Sequence, residues 1–442
     1  MRAEAIRTWK LSGPIILGEL TQMSLGIIDS VMVGSISYKH LAASALVISV
    51  MNIPFVLGIG MSMSVSQTVS MAYGRNDGQK VSHYLYNGFW LCTIAAIIIA
   101  LALNLGKGIL FHLGQDADVA ALSVPYLQIM AWSIIPMLMF IAIKQFTDGL
   151  ERTRTAMVLS LLAMPVNVFI NWLVVYGNWG FPRLELVGAG IGTLVTRIII
   201  LIALVAIVWV HPLFHRYIAV RRSQWQLKIS TIKELLHIGI PSSMQAGMET
   251  GAFAVSGIII GTLGAVQQAA HQIALSCAAF AFMVSFGLAQ GGSIRISNAW
   301  GRNNWKDINV IGKSTLISGV LYGVLSAIFF IAMRKMLPLA FNDDATVVSI
   351  AAVLMLYAAI FQVSDATQAI GVGLLRGMKD VSVPTIYVAI AYWVIGIPTG
   401  YLMAFTFKMG AAGIWIGFVV GLTFSAILLN QRFFRLIKKQ QK

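Results

Sequence analysis

Charge is scarce in this 442-residue chain. Only 11% of its residues are Asp, Glu, Lys or Arg, against about a quarter in ordinary soluble proteins. Acids are the rarer sign, 16 against 31 lysines and arginines. Cysteine is nearly absent: Cys92 and Cys277 both lie in apolar segments. That excludes a disulfide framework and a cysteine-rich metal cluster. No nucleophile–base constellation, metal-ligand motif or nucleotide-binding loop occurs, which argues against an enzyme. The net charge of +15 would suit nucleic acid in a soluble protein. Here the basic residues fall in loops, with no aromatic–basic interleaving and no cysteine–histidine spacing, so no nucleic-acid partner is expected.

Apolar residues fill the space that charge leaves. They make up 58% of the chain and recur in runs of about 20 residues, the length of a helix that crosses a membrane. Twelve spans are expected, at 12–34, 42–66, 84–110, 122–146, 156–176, 188–212, 236–262, 268–292, 310–333, 347–372, 382–406 and 410–431. Barrel strands would be shorter and would alternate in polarity. The opening MRAEAIRTWKLSGP has no small-residue cleavage pattern and reads as the start of a retained first helix.

The loops orient the chain. Twenty-two of the 31 basic residues fall on one side, including Arg2, Arg7 and Lys10, the connection with Arg216, Arg221, Arg222, Lys228 and Lys233, and the tail ending at Lys442. Six fall on the other: Lys39, Lys107, Arg183, Arg334, Lys335 and Lys408. The basic side is the cytoplasmic side, so both termini are expected inside. The tail NQRFFRLIKKQQK mixes basic and apolar residues, as a segment lying along an anionic lipid surface does.

The chain also repeats itself. Pro14 and Pro241, Gly34 and Gly261, and the motifs YGRN (73–76) and WGRN (300–303) are all 227 residues apart. GLER (149–152) and GLLR (373–376) give a further match at 224, and GAG (188–190) pairs with GAAG (410–413). These landmarks imply a duplicated six-helix unit: a lobe at 1–212, a cytoplasmic connection at 213–235 and a second lobe at 236–442. An even number of spans separates the copies, so they run parallel. Two lobes, rather than a ring of subunits around a pore, argue against a channel.

Four acids fall within spans: Glu19 and Asp29 in the first, Glu249 in the seventh and Asp365 in the tenth. A charge at mid-membrane costs roughly 2.5–3.5 kcal/mol even on the mild scales, so such a residue faces protein or water and is a functional candidate. It can bind a proton, or join other oxygens around a hard cation. Glu19 lies near a span end, where snorkelling or capping would also explain it. Gln22 shares a face with Asp29 and is the repeat partner of Glu249. Asn167 and Asn171, four apart, either join helices or supply oxygens near Asp29. Tyr357 and Phe361 precede Asp365 on one helix face, an aromatic wall beside an anion that suits a lipophilic cation. His271, between Gln268 and Gln272 at the start of the eighth span, reads as a helix-end structural residue.

Taken together, GIIDSVMVG (26–34), YGRN, ETGAFAV (249–255), AAHQIAL (269–275), QGGSIRIS (290–297) and SDATQAIGVGLLRGMKD (364–380) resemble the multidrug and toxic compound extrusion (MATE) family over essentially the whole chain, nearest its bacterial NorM-like branch. The resemblance implies an all-α, twelve-helix inner-membrane protein of two six-helix bundles forming a V-shaped cleft. It implies an antiporter that needs no cofactor, acts as a monomer among membrane lipids and exports lipophilic organic cations in exchange for sodium ions or protons. By motif, Asp29 matches the acid of the first helix, and Glu249 and Asp365 match the cation-binding pair, the candidate sodium ligands. Asn167 and Asn171 match polar positions near the first acid, and Gln272 belongs to the HQIA signature. The rival within the superfamily is a flippase for a lipid-linked substrate. That reading wants a more basic cleft for a phosphate-bearing substrate, whereas the spans hold few cations; Lys144, Arg197 and Arg295 are the candidate exceptions, and a place at a helix end would also explain each.

Overall fold

The computed structural model describes residues 1–114, 116–218 and 225–440. Arg221, Arg222 and Lys442 lie outside the described residues. Among the described residues there are fifteen α-helices: α1 (Arg2–Gly34), α2 (Tyr38–Gly74), α3 (Gly78–Leu105), α4 (Ala117–Gly149), α5 (Thr153–Val174), α6 (Glu185–Val210), the short α7 (Pro212–Ile218), α8 (Ile229–Gly261), α9 (Ala265–Gly301), α10 (Trp305–Met333), the single turn α11 (Met336–Leu339), α12 (Ala345–Gly377), α13 (Ser382–Ala389), α14 (Ile397–Tyr401) and α15 (Ala411–Gln440). Wider π-helical turns at Ile390–Gly396 and Leu402–Thr406 join α13 and α14 into one long segment.

This is an all-α polytopic membrane protein. Among the described residues, eleven helical segments are long and apolar enough to cross a membrane. The 33-residue α8 is not one of them, because Gln245, Glu249 and Thr250 dilute its apolar sequence. Most helices outrun the expected spans. α1, for instance, begins at Arg2 and runs through Pro14. Its first turns are pinned by Arg295, whose guanidinium donates to the Glu4 carbonyl at 2.8 Å and to Thr8 Oγ1 at 2.7 Å, and pairs with the Glu4 carboxylate. The tail continues α15 as helix, and its apolar residues Phe433 and Ile437 are buried.

The duplication is visible element by element. α1 and α8, and α2 and α9, begin and end 227 residues apart. Asp77 accepts a hydrogen bond from the Lys80 amide at 3.0 Å to cap α3, and Asn304 accepts one from the Asp307 amide at 3.1 Å to cap α10. Asp116 and Asp344 cap α4 and α12. At Asp344 the amides of Val347 and Thr346 hold the carboxyl below its ordinary range. Asn76 and Asn303, after α2 and α9, take φ of 55° and 54°, the left-handed conformation that asparagine tolerates.

The structure corrects one pairing. α4 ends at Gly149 and α12 at Gly377, so GLER matches residues 377–380 rather than 373–376. The sequence match had slipped by one helical turn, which keeps the same face. Both glycines serve one purpose: a Cβ on Gly149 would lie 2.8 Å from the Ser66 carbonyl, and one on Gly377 would lie 2.7 Å from that of Ser293.

The chain divides into two compact units, Leu17–Ser243 and Met1–Ile16 with Met244–Lys442. In the first, α4 packs against α2, α3 and α6; in the second, α12 packs against α9, α10 and α15. Each unit thus buries the equivalent helix at its centre. Polar residues on that helix must find their partners inside protein.

Candidate functional site

In the unit Leu17–Ser243, Asp29 is held by two other helices. Asn171 Nδ2, on α5, donates to Asp29 Oδ1 at 2.8 Å, and Thr193 Oγ1, on α6, donates to Oδ2 at 3.4 Å. Asn171 Nδ2 also donates to Asn167 Oδ1 at 3.1 Å. Both asparagines are fully buried; Asn171 joins α5 to α1 by donating to the carboxylate, and Asn167 supplies an oxygen that holds the Asn171 amide in place. Arg197, in the middle of α6, donates to Ser133 Oγ at 2.5 Å and acts electrostatically on Asp29. Thr193 and the role of Arg197 have no signal in the sequence near Asp29, since both come from more than 160 residues away. Gln22 lies half-buried on the same helix.

In the other unit, Glu249 Oε1 accepts a hydrogen bond from the Tyr392 hydroxyl at 2.9 Å. Arg376, in the last turn of α12, acts on Glu249 electrostatically, and so does Asp365. Asp365 is 2% exposed, and its Oδ2 receives no hydrogen bond among the described residues. The structure therefore brings Glu249 and Asp365 together as two like charges in protein interior. One proton or one cation relieves that repulsion. Among the described residues no group of three His, Cys, Asp or Glu side chains is placed to hold a metal ion; a sodium ion at the pair would draw its remaining oxygens from neutral groups.

Aromatic rings pack around the pair. Phe361 is 3% exposed, with ring centroids 5.5 Å from Trp415, 6.2 Å from Phe253 and 6.3 Å from Phe418. Tyr357, one turn earlier, is half-buried. In the AAHQIAL stretch the structure separates neighbours. His271 is buried and accepts from Trp415 Nε1 at 3.2 Å, whereas Gln272 is exposed.

Glu19 neither snorkels nor caps. Its carboxylate accepts from Lys144 Nζ of α4 at 2.8 Å. Asp148, in the last turn of α4, is a buried acid that falls just beyond the expected fourth span. It is 1% exposed.

A duplicated helical membrane protein whose spanning segments hold a buried acid, Asp365, interacting with a half-buried one, Glu249, has the design of a transporter. The family model for MatE matches the chain twice, over residues 14–173 and 241–402, and the two matches start 227 residues apart like the repeats themselves. This chain belongs to the MATE family. It is 34% identical over 434 residues to the probable multidrug resistance protein NorM of Rhizobium meliloti (strain 1021), covering 97% of this chain and 93% of that protein. Its fold matches a eukaryotic MATE transporter, with a TM-score of 0.89 at 20% identity over 99% of this chain and 98% of the other. It also matches a MOP superfamily transporter from Pyrococcus furiosus, for which a reversed polarity of the binding pocket suggests a different function. There the TM-score is 0.89 at 16% identity, over 99% and 97% of the two chains.

Proposed function

We propose that this transporter is an antiporter that exports lipophilic organic cations by alternating access, driven by inward movement of sodium ions or protons. The observation that carries the reading is the Glu249–Asp365 pair, two interacting carboxylates, Asp365 buried and Glu249 half-buried, with one Asp365 oxygen that receives no donor among the described residues. A cation loaded there changes the charge of the protein interior, and so biases one arrangement of the protein over another. Asp29, with Asn167, Asn171 and Gln22, forms a second acidic site for coupling ion or cargo. Tyr357 and Phe361 supply the aromatic surface that favours a cation, and Gln272, exposed, is assigned to cargo contact.

The architecture proposed is twelve spanning helices in two six-helix bundles, lobes 1–212 and 236–442 joined by 213–235, forming the V-shaped cleft of the family. The chain sits in the bacterial inner membrane as a monomer, with both termini cytoplasmic. The flippase reading is less well supported, because it needs free buried cations. Lys144 pairs with Glu19, Arg197 with Ser133, and Arg295 with Glu4 and Thr8.

The test is dye efflux from proteoliposomes under a sodium gradient and a proton gradient imposed separately, without ATP. Transport of cationic dyes under one gradient names the ion. No transport under either, across several dyes, removes the drug-export reading. Tyr392→Phe deletes the hydroxyl that donates to Glu249. A hydrogen bond to a charged group is worth about 1.5–3 kcal/mol, so efflux is expected to fall roughly tenfold with the protein still folded; an undiminished rate would reduce Tyr392 to a packing role.

A further inference from the structure

The acid that the transport reading leaves unused is Asp148. It sits in the last turn of α4, 1% exposed, and neither carboxylate oxygen receives a hydrogen bond among the described residues. Its surroundings are unequal in charge. Lys144, one turn earlier on the same face of α4 and 7% exposed, spends its ammonium on Glu19 Oε1 at 2.8 Å. Among the described residues, α4 is packed by α2, α3, α5, α6 and the turn at 107–112, and α7 meets it through Phe214 and Tyr217 on Phe146; of the charged groups these elements and α1 carry, Lys107, His112, His215 and Arg216 included, only Glu19 acts on Asp148, and on its own helix only Lys144 does. Two carboxylates thus share a single ammonium. With all three ionised the cluster carries a net negative charge in protein interior, where an uncompensated ion costs several kcal/mol.

We propose that Glu19, Lys144 and Asp148 form a proton-binding site of their own, separate from Asp29 and from the Glu249–Asp365 pair, in which Asp148 holds one exchangeable proton. Binding one proton makes the cluster neutral; releasing it restores the buried negative charge. The step is a simple protonation of one carboxylate oxygen, with no other bond made or broken.

A proton fits better than a metal cation, because the ammonium of Lys144 already serves the two carboxylates and would repel a second cation. Glu19, with its side chain 21% exposed, gives the cluster an edge toward the molecular surface.

The repeat sharpens the point. α4 and α12 end at equivalent glycines, so the residue before each, Asp148 and Arg376, are counterparts. The duplicated position is an acid in one half and a base in the other. The second half has no copy of this site.

The experiment is infrared difference spectroscopy of the full-length protein in liposomes, titrated with pH and read in the carboxylic C=O stretching region. It needs no cargo, so its failure is distinct from failure of the efflux reading. A protonated-carboxyl band is expected in wild type and in Asp29→Asn, and is lost in Asp148→Asn. Asp148→Glu moves that band to the frequency of a glutamic acid, which keeps the test open if the asparagine variant folds poorly. Lys144→Gln removes the only ammonium and is expected to add a second carboxylic band, from Glu19. Identical spectra for wild type, Asp148→Asn and Asp148→Glu over the whole titration would overturn the proposal.

Discussion

Asp365→Asn is expected to reduce gradient-driven efflux roughly tenfold or more without destabilising the protein. Asp365 is buried, repelled by Glu249, and carries an oxygen to which no described group donates. In a resting fold such a carboxylate is a cost: a buried polar atom without a partner costs about 1–3 kcal/mol, and more if charged. An amide of the same shape carries no ionic charge and feels no repulsion from Glu249. The melting temperature should therefore hold or rise. Transport should respond in the opposite sense. Coupling between two ligands through a protein amounts to about 1–3 kcal/mol, or roughly 5–150-fold, and it depends on the charge that the cation neutralises. Removing that charge uncouples the ion from the cargo. Efflux in proteoliposomes and thermal unfolding of the same preparation measure both effects. A variant that transports at the wild-type rate, or one that is inactive only because it melts early, would show that Asp365 is not a coupling residue. Glu249→Gln is expected to act alike, and the double variant to add little, because two groups that share one ion are not independent.

Gly417→Val is expected to prevent folding rather than to tune transport. α15 packs against the segment that contains the two π-helical turns, at Ile390–Gly396 and Leu402–Thr406. Gly417 stands where the two backbones meet. A Cβ there would lie 2.6 Å from both Cα and N of Gly400 and would also strike the Gly396 carbonyl. The obstructing atoms are all backbone, so no side chain can turn aside. Ordinary overpacking of a core costs about 1–3 kcal/mol; with backbone on both sides the loss should exceed that. Small residues at helix interfaces matter more in lipid than in water, since close packing rather than apolar burial draws membrane helices together. Detergent-solubilised yield and elution profile on size exclusion measure this effect. A monodisperse Gly417→Val protein with wild-type stability would mean that α15 can shift away from the π-helical segment at little cost.

These two predictions draw on different kinds of information. The duplication, the helical class and three of the important acids were legible in the chain alone. Apolar runs of membrane length need no tertiary context, and in lipid the backbone must satisfy its own hydrogen bonds, so a run of that length becomes a helix. An acid inside such a run is conspicuous because almost everything around it is apolar, as at Asp29, Glu249 and Asp365. Turn residues repeated at a constant interval marked the two copies, and the structure reproduces that interval in its helix ends and caps.

What the chain did not disclose is which side of each helix faces protein. In a soluble helix the polar face announces the buried one. In a membrane helix the lipid-facing and protein-facing sides are about equally apolar, so rotation about the axis leaves little trace in the sequence. Hence the partners of Asp29 on α6, the hydroxyl that meets Glu249 from Tyr392, and the exposure of Gln272 beside the buried His271 emerged only from packing. Asp148 was hidden for a second reason: it lies two residues beyond the end assigned to its span, and helix ends follow from capping and close approach rather than from hydropathy. The sequence by itself determined that carboxylates lie in the membrane-spanning part of this transporter. The tertiary structure alone decided which donors, cations and like charges surround each one, and that surrounding is what sets whether a carboxylate holds a proton, a metal ion or a neighbouring side chain.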